Sequence, residues 1–308
     1  MDTAKDSVMR WRGGRRSGNI EDRRGQRAGG LGRSRGIPIR LPRGRSGKIG
    51  IVGILAIVGI SLFLGIDPTV ILQGGLQQGG VQSTSQSELP RTAANDDLTE
   101  FVSVVLADTE DTWRAVFANA DQTYQEPTLV LFSDSVQSAC GFAQSAMGPF
   151  YCPGDQKVYL DLSFFNELRN RFDAPGDFAQ AYVIAHEVGH HIQTLLGISQ
   201  KVHEQRSRLS ETEGNKLSVR LELQADCLAG VWAFHADQTR QILEPGDIDE
   251  ALNAATAIGD DRLQKQATGM VVPDSFTHGS SAQRVRWFKT GFKDGNVNSC
   301  DTFSAGDL

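Results

Sequence analysis

The sequence predicts an α+β domain in which helices dominate, preceded by one transmembrane helix. Three observations carry that prediction. Residues 49–66, IGIVGILAIVGISLFLGI, contain no charged residue. From residue 96 onward, long stretches with an apolar helical face outnumber two short β-branched runs. Charge is also split along the chain: residues 1–48 hold fourteen Lys/Arg against four Asp/Glu, a net of +10, whereas residues 49–308 carry −16.

Taken in order, residues 1–48 are rich in Arg and Gly and short of apolar residues, which predicts a disordered basic arm. As a helix, residues 49–66 would span about 27 Å, close to a hydrocarbon core of about 30 Å. No A-x-A cleavage site follows, only Asp67-Pro68, so the segment reads as an uncleaved signal anchor in contact with the lipid bilayer. Basic flanks stay cytoplasmic, which places residues 1–48 on the cytoplasmic side of the membrane and 67–308 outside. Trp11 is the arm's one aromatic residue, and proximity to a membrane accounts for its charge, so no nucleic-acid partner is expected. Residues 67–95 form a Gln/Gly/Ser-rich linker.

The remaining residues, 96–308, make one domain. A helix is expected over 98–120, then strands at TLVLF (128–132) and KVYLDL (157–162). Asp177 can cap a helix running to Leu196 and ending at Gly197. LSVRLELQADCLAGVWAFHAD (217–237) is a second long helix, and the capping-box pattern at Asp247–Glu250 opens a third through Lys265. Cys140, Cys152, Cys227 and Cys300 all fall in the part expected outside, and their even number favours two disulfides. Cys140–Cys152 closes a short Gly/Ser/Pro-rich loop and is the favoured pair, leaving Cys227–Cys300. No C-x-x-C spacing suggests a cysteine-based zinc site.

QAYVIAHEVGHHIQ (180–193) holds the densest chemistry. His186 and His190 are four residues apart, hence on one helical face, with Glu187 between them. In H-E-x-x-H the two imidazoles can hold Zn²⁺ and the glutamate can reach a water activated beside it. His191 lies about 140° round the helix from His186 and reads as a core or supporting residue. His203 and His235 are isolated. A metzincin pattern fails, because it would require glycine at Gln193 and histidine at Leu196. The third ligand is best supplied by Glu222 in LELQAD, with Asp226 one turn further to receive a ligand histidine's N–H. In FTHGSSAQRVRWF (276–288), His278 is a candidate hydrogen-bond donor to a developing oxyanion. Arg284 could orient a carboxylate. KVYLDL is assigned as an edge strand able to hold an extended peptide.

CGFAQSAMGPFYCPGDQKVYLDLSFF, AYVIAHEVGHHIQ, SVRLELQADCLAGVWA, AIGDDRLQ, FTHGSSAQRVRWF and the amino-terminal MRWRGGRRSGNIEDRRG together resemble a bacterial family of neutral zinc metallopeptidases. The resemblance covers nearly the whole chain apart from the linker. It implies a single-pass protein of the bacterial inner membrane with a predominantly helical, zincin-like metallopeptidase domain, whose zinc ligands are His186, His190 and Glu222 and whose general base is Glu187. More distantly, E-x-x-A-D followed by a His-x5-Arg stretch is similar to membrane-associated gluzincins, although Gly279 stands where those have proline after the histidine. The expected activity is zinc-dependent cleavage of peptide or unfolded protein substrates in the envelope. The alternative is a non-catalytic zinc-containing envelope binding or scaffold protein, in which all four metal positions would be filled by protein.

Overall fold

A computed structural model describes residues 9–25 and 93–308. The first element is a surprise, because it comes from the arm expected to be disordered. Residues 20–22 form β1 (Ile20–Asp22), and Met9 and Trp11 are buried in the main core. For residues 9–25 the expectation of disorder is therefore corrected. The rest of the arm, the apolar stretch 49–66 and the linker through residue 92 lie outside the described residues. Among the described residues no helix is long and apolar enough to cross a membrane.

Helix α1 (Ala93–Asn119) follows, starting a few residues before the helix expected at 98. Strands β2 (Thr128–Phe132) and β6 (Lys157–Asp161) are where the β-branched runs put them. Between them lie β3 (Ser135–Ser138), β4 (Gly141–Gln144) and β5 (Phe150–Cys152). Sequence reasoning missed these three, since strands of three or four residues carry too little alternation to register. The main sheet has the order β1-β2-β6-β5; β1, β2 and β6 are parallel and β5 is antiparallel to β6. KVYLDL is therefore an interior strand, and the edge-strand assignment passes to β5.

Period-two alternation explains how the sheet is covered. Leu129, Leu131, Val158 and Leu160 face the main core, while Val130, Phe132 and Tyr159 face a smaller cluster beneath the β3–β4 hairpin. The Cys140–Cys152 disulfide ties that hairpin to β5.

Helices follow: α2 (Phe164–Asn170), α3 (Asp177–Leu195), α4 (Ile198–Arg206) and α5 (Glu211–His235). The chain then forms α6 (Asp247–Ala257), α7 (Asp260–Thr268) and α8 (Ser281–Asp294). The single helix expected from Asp247 to Lys265 is thus two, broken at Ile258-Gly259, where Gly259 packs against Ser281 too closely to admit a Cβ. Nor is Asp247 a cap, since it is already inside the helix and buried. The true capping box is Ser280 with Gln283, at the start of α8.

Fifteen of the nineteen residues of α3 are buried, because α5, α6 and the sheet surround it. Two glycines set the helix spacing. A Cβ at Gly189 would sit 3.0 Å from the Ala225 carbonyl oxygen of α5, and one at Gly291 of α8 would sit 1.9 Å from that of Cys227. The second disulfide, Cys227–Cys300, fastens α5 to the carboxy-terminal segment. Both pairs are those favoured from the sequence, and among the described residues no cysteine is free. Paired cysteines throughout fit an oxidising, extracytoplasmic compartment.

Candidate metal centre

The α3–α5 crossing brings five of the sequence-predicted residues together. His186 and His190 stack one turn apart on α3 with their rings perpendicular and centroids 4.8 Å apart. From α5, Glu222 sets one oxygen 3.2 Å from His186 Nε2 and the other 3.5 Å from His190 Nε2. One donor atom from each of the three lies within 4.8 Å of the others. Ligand atoms at about 2.0–2.1 Å from a tetrahedral zinc are themselves about 3.3–3.4 Å apart, so the His–Glu separations suit that ion. The donor chemistry, two imidazoles and one carboxylate, also suits zinc.

The opposite nitrogens of both rings are held. His186 Nδ1 donates to Asp226 Oδ1 at 2.9 Å, and His190 Nδ1 donates to Gln193 Oε1 at 2.9 Å. These bonds direct each Nε2 lone pair toward Glu222 and fix the ring orientation. Gln193 is itself anchored through Nε2 to the Leu221 carbonyl and to Gln224. The same residue that excluded a metzincin reading thus has a positive role, visible only once α5 packs on α3.

Asp226 is fully buried. Besides His186 it accepts hydrogen bonds from the Tyr182 hydroxyl and from Arg284 Nε and Nη2, the last two at 2.8 and 2.9 Å. Burial opposes its charge, but Arg284 and His186 outweigh that and hold it down to about 2. Burial likewise opposes the charge of His186, yet Asp226 and Glu222 push it up to about 10. His190 rises for a similar reason, with Glu222 overcoming desolvation. Glu222 is pulled well below the usual carboxylate range, as His190 and His186 more than offset its burial. Without an ion, the carboxylates draw protons onto the rings; a cation between them takes over that charge.

This centre opens on a cleft of about 820 Å³. Glu187 lines it beside both histidines, and the edge strand β5 contributes Phe150 and Tyr151 to its wall. His278 lines the same cleft, about half exposed. Its Nδ1 lies 3.3 Å from Asp260 Oδ1, while Asp260 Oδ2 accepts the backbone N–H groups of Thr277, His278 and Gly279. The Asp260 hydrogen bond raises the His278 pKa, against a smaller opposing effect of burial. Asp260, missed as a site residue, stands in the AIGDDRLQ stretch that carried the family resemblance.

His191 does not face the centre. It is fully buried; Nε2 donates to the Gln125 carbonyl at 2.6 Å and Nδ1 accepts from the Tyr151 hydroxyl at 3.1 Å. Burial lowers its pKa, in keeping with a neutral ring that pins β5 to α3. His203 is exposed at the cleft rim, and His235 hydrogen-bonds the Gly295 carbonyl.

The family described as "Putative neutral zinc metallopeptidase" matches residues 9–303. The chain belongs to this family. Among the family's curated proteins, "Uncharacterized protein YpfJ" of Escherichia coli K12 is 51% identical over 296 residues, covering 96% of this chain and 99% of that protein. "Uncharacterized protein Rv2575" of Mycobacterium tuberculosis H37Rv is 41% identical over 258 residues, covering 80% and 86% respectively. No solved structure matches the chain. The zinc metallopeptidase match begins at Met9, so it takes in the amino-terminal strand along with the helical domain.

Proposed function

We propose that this zinc metallopeptidase family member is an extracytoplasmic endopeptidase that hydrolyses peptide bonds in unfolded or loosely folded envelope proteins. The observation that carries this reading is the convergence of His186, His190 and Glu222 at zinc-like separations, beside Glu187, on the floor of an open cleft. A scaffold with structural zinc would close all four positions with protein groups. Among the described residues the cluster offers three, and the cleft gives access to the fourth. Residues 49–66 would hold the enzyme at the bilayer.

His186 Nε2, His190 Nε2 and the Glu222 carboxylate would hold the ion. Bound there, zinc supplies a Lewis acid that acidifies water and polarises a carbonyl oxygen. The Glu187 carboxylate takes the proton of the attacking water and delivers it to the departing amine nitrogen. His278, with Nδ1 held by Asp260, has Nε2 left to donate to the oxyanion formed at the carbonyl. Asp226 and Gln193 hold the ligand rings so that both keep the Nδ1–H tautomer. An extended substrate can pair with the exposed edge of β5, which accepts a backbone irrespective of side-chain identity.

The test is cleavage of a denatured protein by the purified full-length chain with zinc, with a chelator, and as Glu187→Gln. Activity should vanish in the last two while Glu187→Gln still binds one zinc per chain. Cleavage that persists in Glu187→Gln would refute the role of Glu187, and an inert, zinc-loaded wild type would favour the scaffold.

A further inference from the structure

A single membrane crossing at residues 49–66 would leave residues 9–25 on one side and 93–308 on the other. The fold joins them. Both belong to one compact unit, and the family match spans both. We infer that residues 9–25 lie on the same side of the membrane as the metal centre, so that residues 49–66 do not cross it once.

The contacts are of the kind that build a domain. Asn19 and Arg23 exchange backbone hydrogen bonds with Leu129 and Leu131 of β2, at 2.8 and 2.7 Å. Ser17 pairs with Ser103 of α1 through its N–H and carbonyl, and Arg10 N–H bonds the Ile242 carbonyl at 2.8 Å. Trp11 meets Phe101 edge to face at 5.4 Å, and Met9 is 1% exposed. Gly14 approaches α1 so closely that a Cβ would lie 2.7 Å from Val104.

Glu110 of α1 decides the matter electrostatically. It is fully buried, and its partners are Arg15 at 2.8 Å, Asn19 at 2.9 Å and the Ser17 hydroxyl, with Arg114 more distant at 3.5 Å. Three of those four come from the amino-terminal segment. Separated by a bilayer, the domain would keep a buried carboxylate stripped of its nearest donors, which is a costly state. Several arginines that argue for a cytoplasmic arm are also committed to the fold: Arg10 pairs with Glu244, Arg15 with Glu110 and Asp111, and Arg16 with Glu100. A charge used inside a folded unit does not report on the side of the membrane in the way a free flank does.

Gly18 and Gly306 provide the probes. Both are exposed, and a Cβ at either meets nothing within 4 Å. Gly18→Cys and Gly306→Cys, each in the full chain, are treated with a membrane-impermeant maleimide in cells whose outer envelope has been permeabilised, and again after lysis. The native cysteines are disulfide-bonded and silent. We expect both thiols to label before lysis to within twofold of the lysed level. Labelling of both only after lysis would sustain the shared side and instead overturn the extracytoplasmic location. Labelling of Gly306→Cys before lysis and of Gly18→Cys only after it, or the reverse, would establish a single crossing and overturn the inference.

Discussion

Asp226 has no exposed surface, and its two oxygens hold together Tyr182, His186 and Arg284. Asp226→Asn would leave the Arg284 guanidinium buried without its counter-charge. We expect a loss of about 3–5 kcal/mol in urea denaturation and zinc affinity lower by about 10–100-fold in a chelator competition. His278→Ala acts differently. It should lower kcat by about 100-fold while zinc content and stability stay near wild type, as measured by peptide turnover alongside metal analysis. Spacing made His186, Glu187, His190, Glu222 and Asp226 legible, since four-residue intervals on a helix fix a common face. Gln193 and Tyr182 were passed over although each stands three or four residues from a ligand histidine on α3, because what else they grip, Leu221, Asp226 and Arg284, comes from other elements; Asp260 has no such interval at all.

At the scale of elements, the metal centre depends on how closely α5 lies against α3 and α8. Gly291→Ala would force a methyl against the Cys227 carbonyl and should cost about 1–3 kcal/mol, read as a lower thermal midpoint. A second junction is pH-sensitive. Glu250 of α6 accepts the Phe178 N–H at the start of α3, at 3.1 Å. Burial, together with Asp177 and Asp247, pushes its carboxyl from 4.5 up to about 7. The folded value exceeds the unfolded one, so the stabilisation is full below pH 4.5 and declines as pH rises to about 7. Glu250→Gln should therefore gain on wild type by about 1–2 kcal/mol between pH 4.5 and 8, the figure discounted for a half-buried group. Urea midpoints at the two pH values check it. Long helices and the two interior strands were readable from periodicity. The break at Gly259 was not, because the neighbour that imposes it, Ser281, arrives from α8.

For the molecule as a whole, the amino-terminal segment is the part that composition concealed. Averaged over residues 1–48, Met9, Trp11 and Ile20 vanish into a basic, Gly-rich background. The average pools unlike pieces: seven of the fourteen basic residues lie between 27 and 48 without an acidic neighbour, whereas Glu21 and Asp22 sit among those of 9–25. Such a segment cannot form a core alone; it completes one that α1 and β2 supply. Trp11→Ala should accordingly destabilise the full chain by about 3–5 kcal/mol in thermal or urea unfolding, a penalty that a disordered arm would not show.

Of the two outer strands of the sheet, β1 is made before every strand it must join. β1 precedes β2 by more than a hundred positions, so the sheet cannot grow outward in the order of synthesis. Residues 9–25 must wait, unpaired, until α1 and β2 have emerged and presented an edge. Such closure over a long sequence separation is slow compared with pairing between neighbours. Until then Trp11 and the unpaired backbone of β1 stay exposed on the growing chain, surfaces of the kind through which incomplete chains associate wrongly.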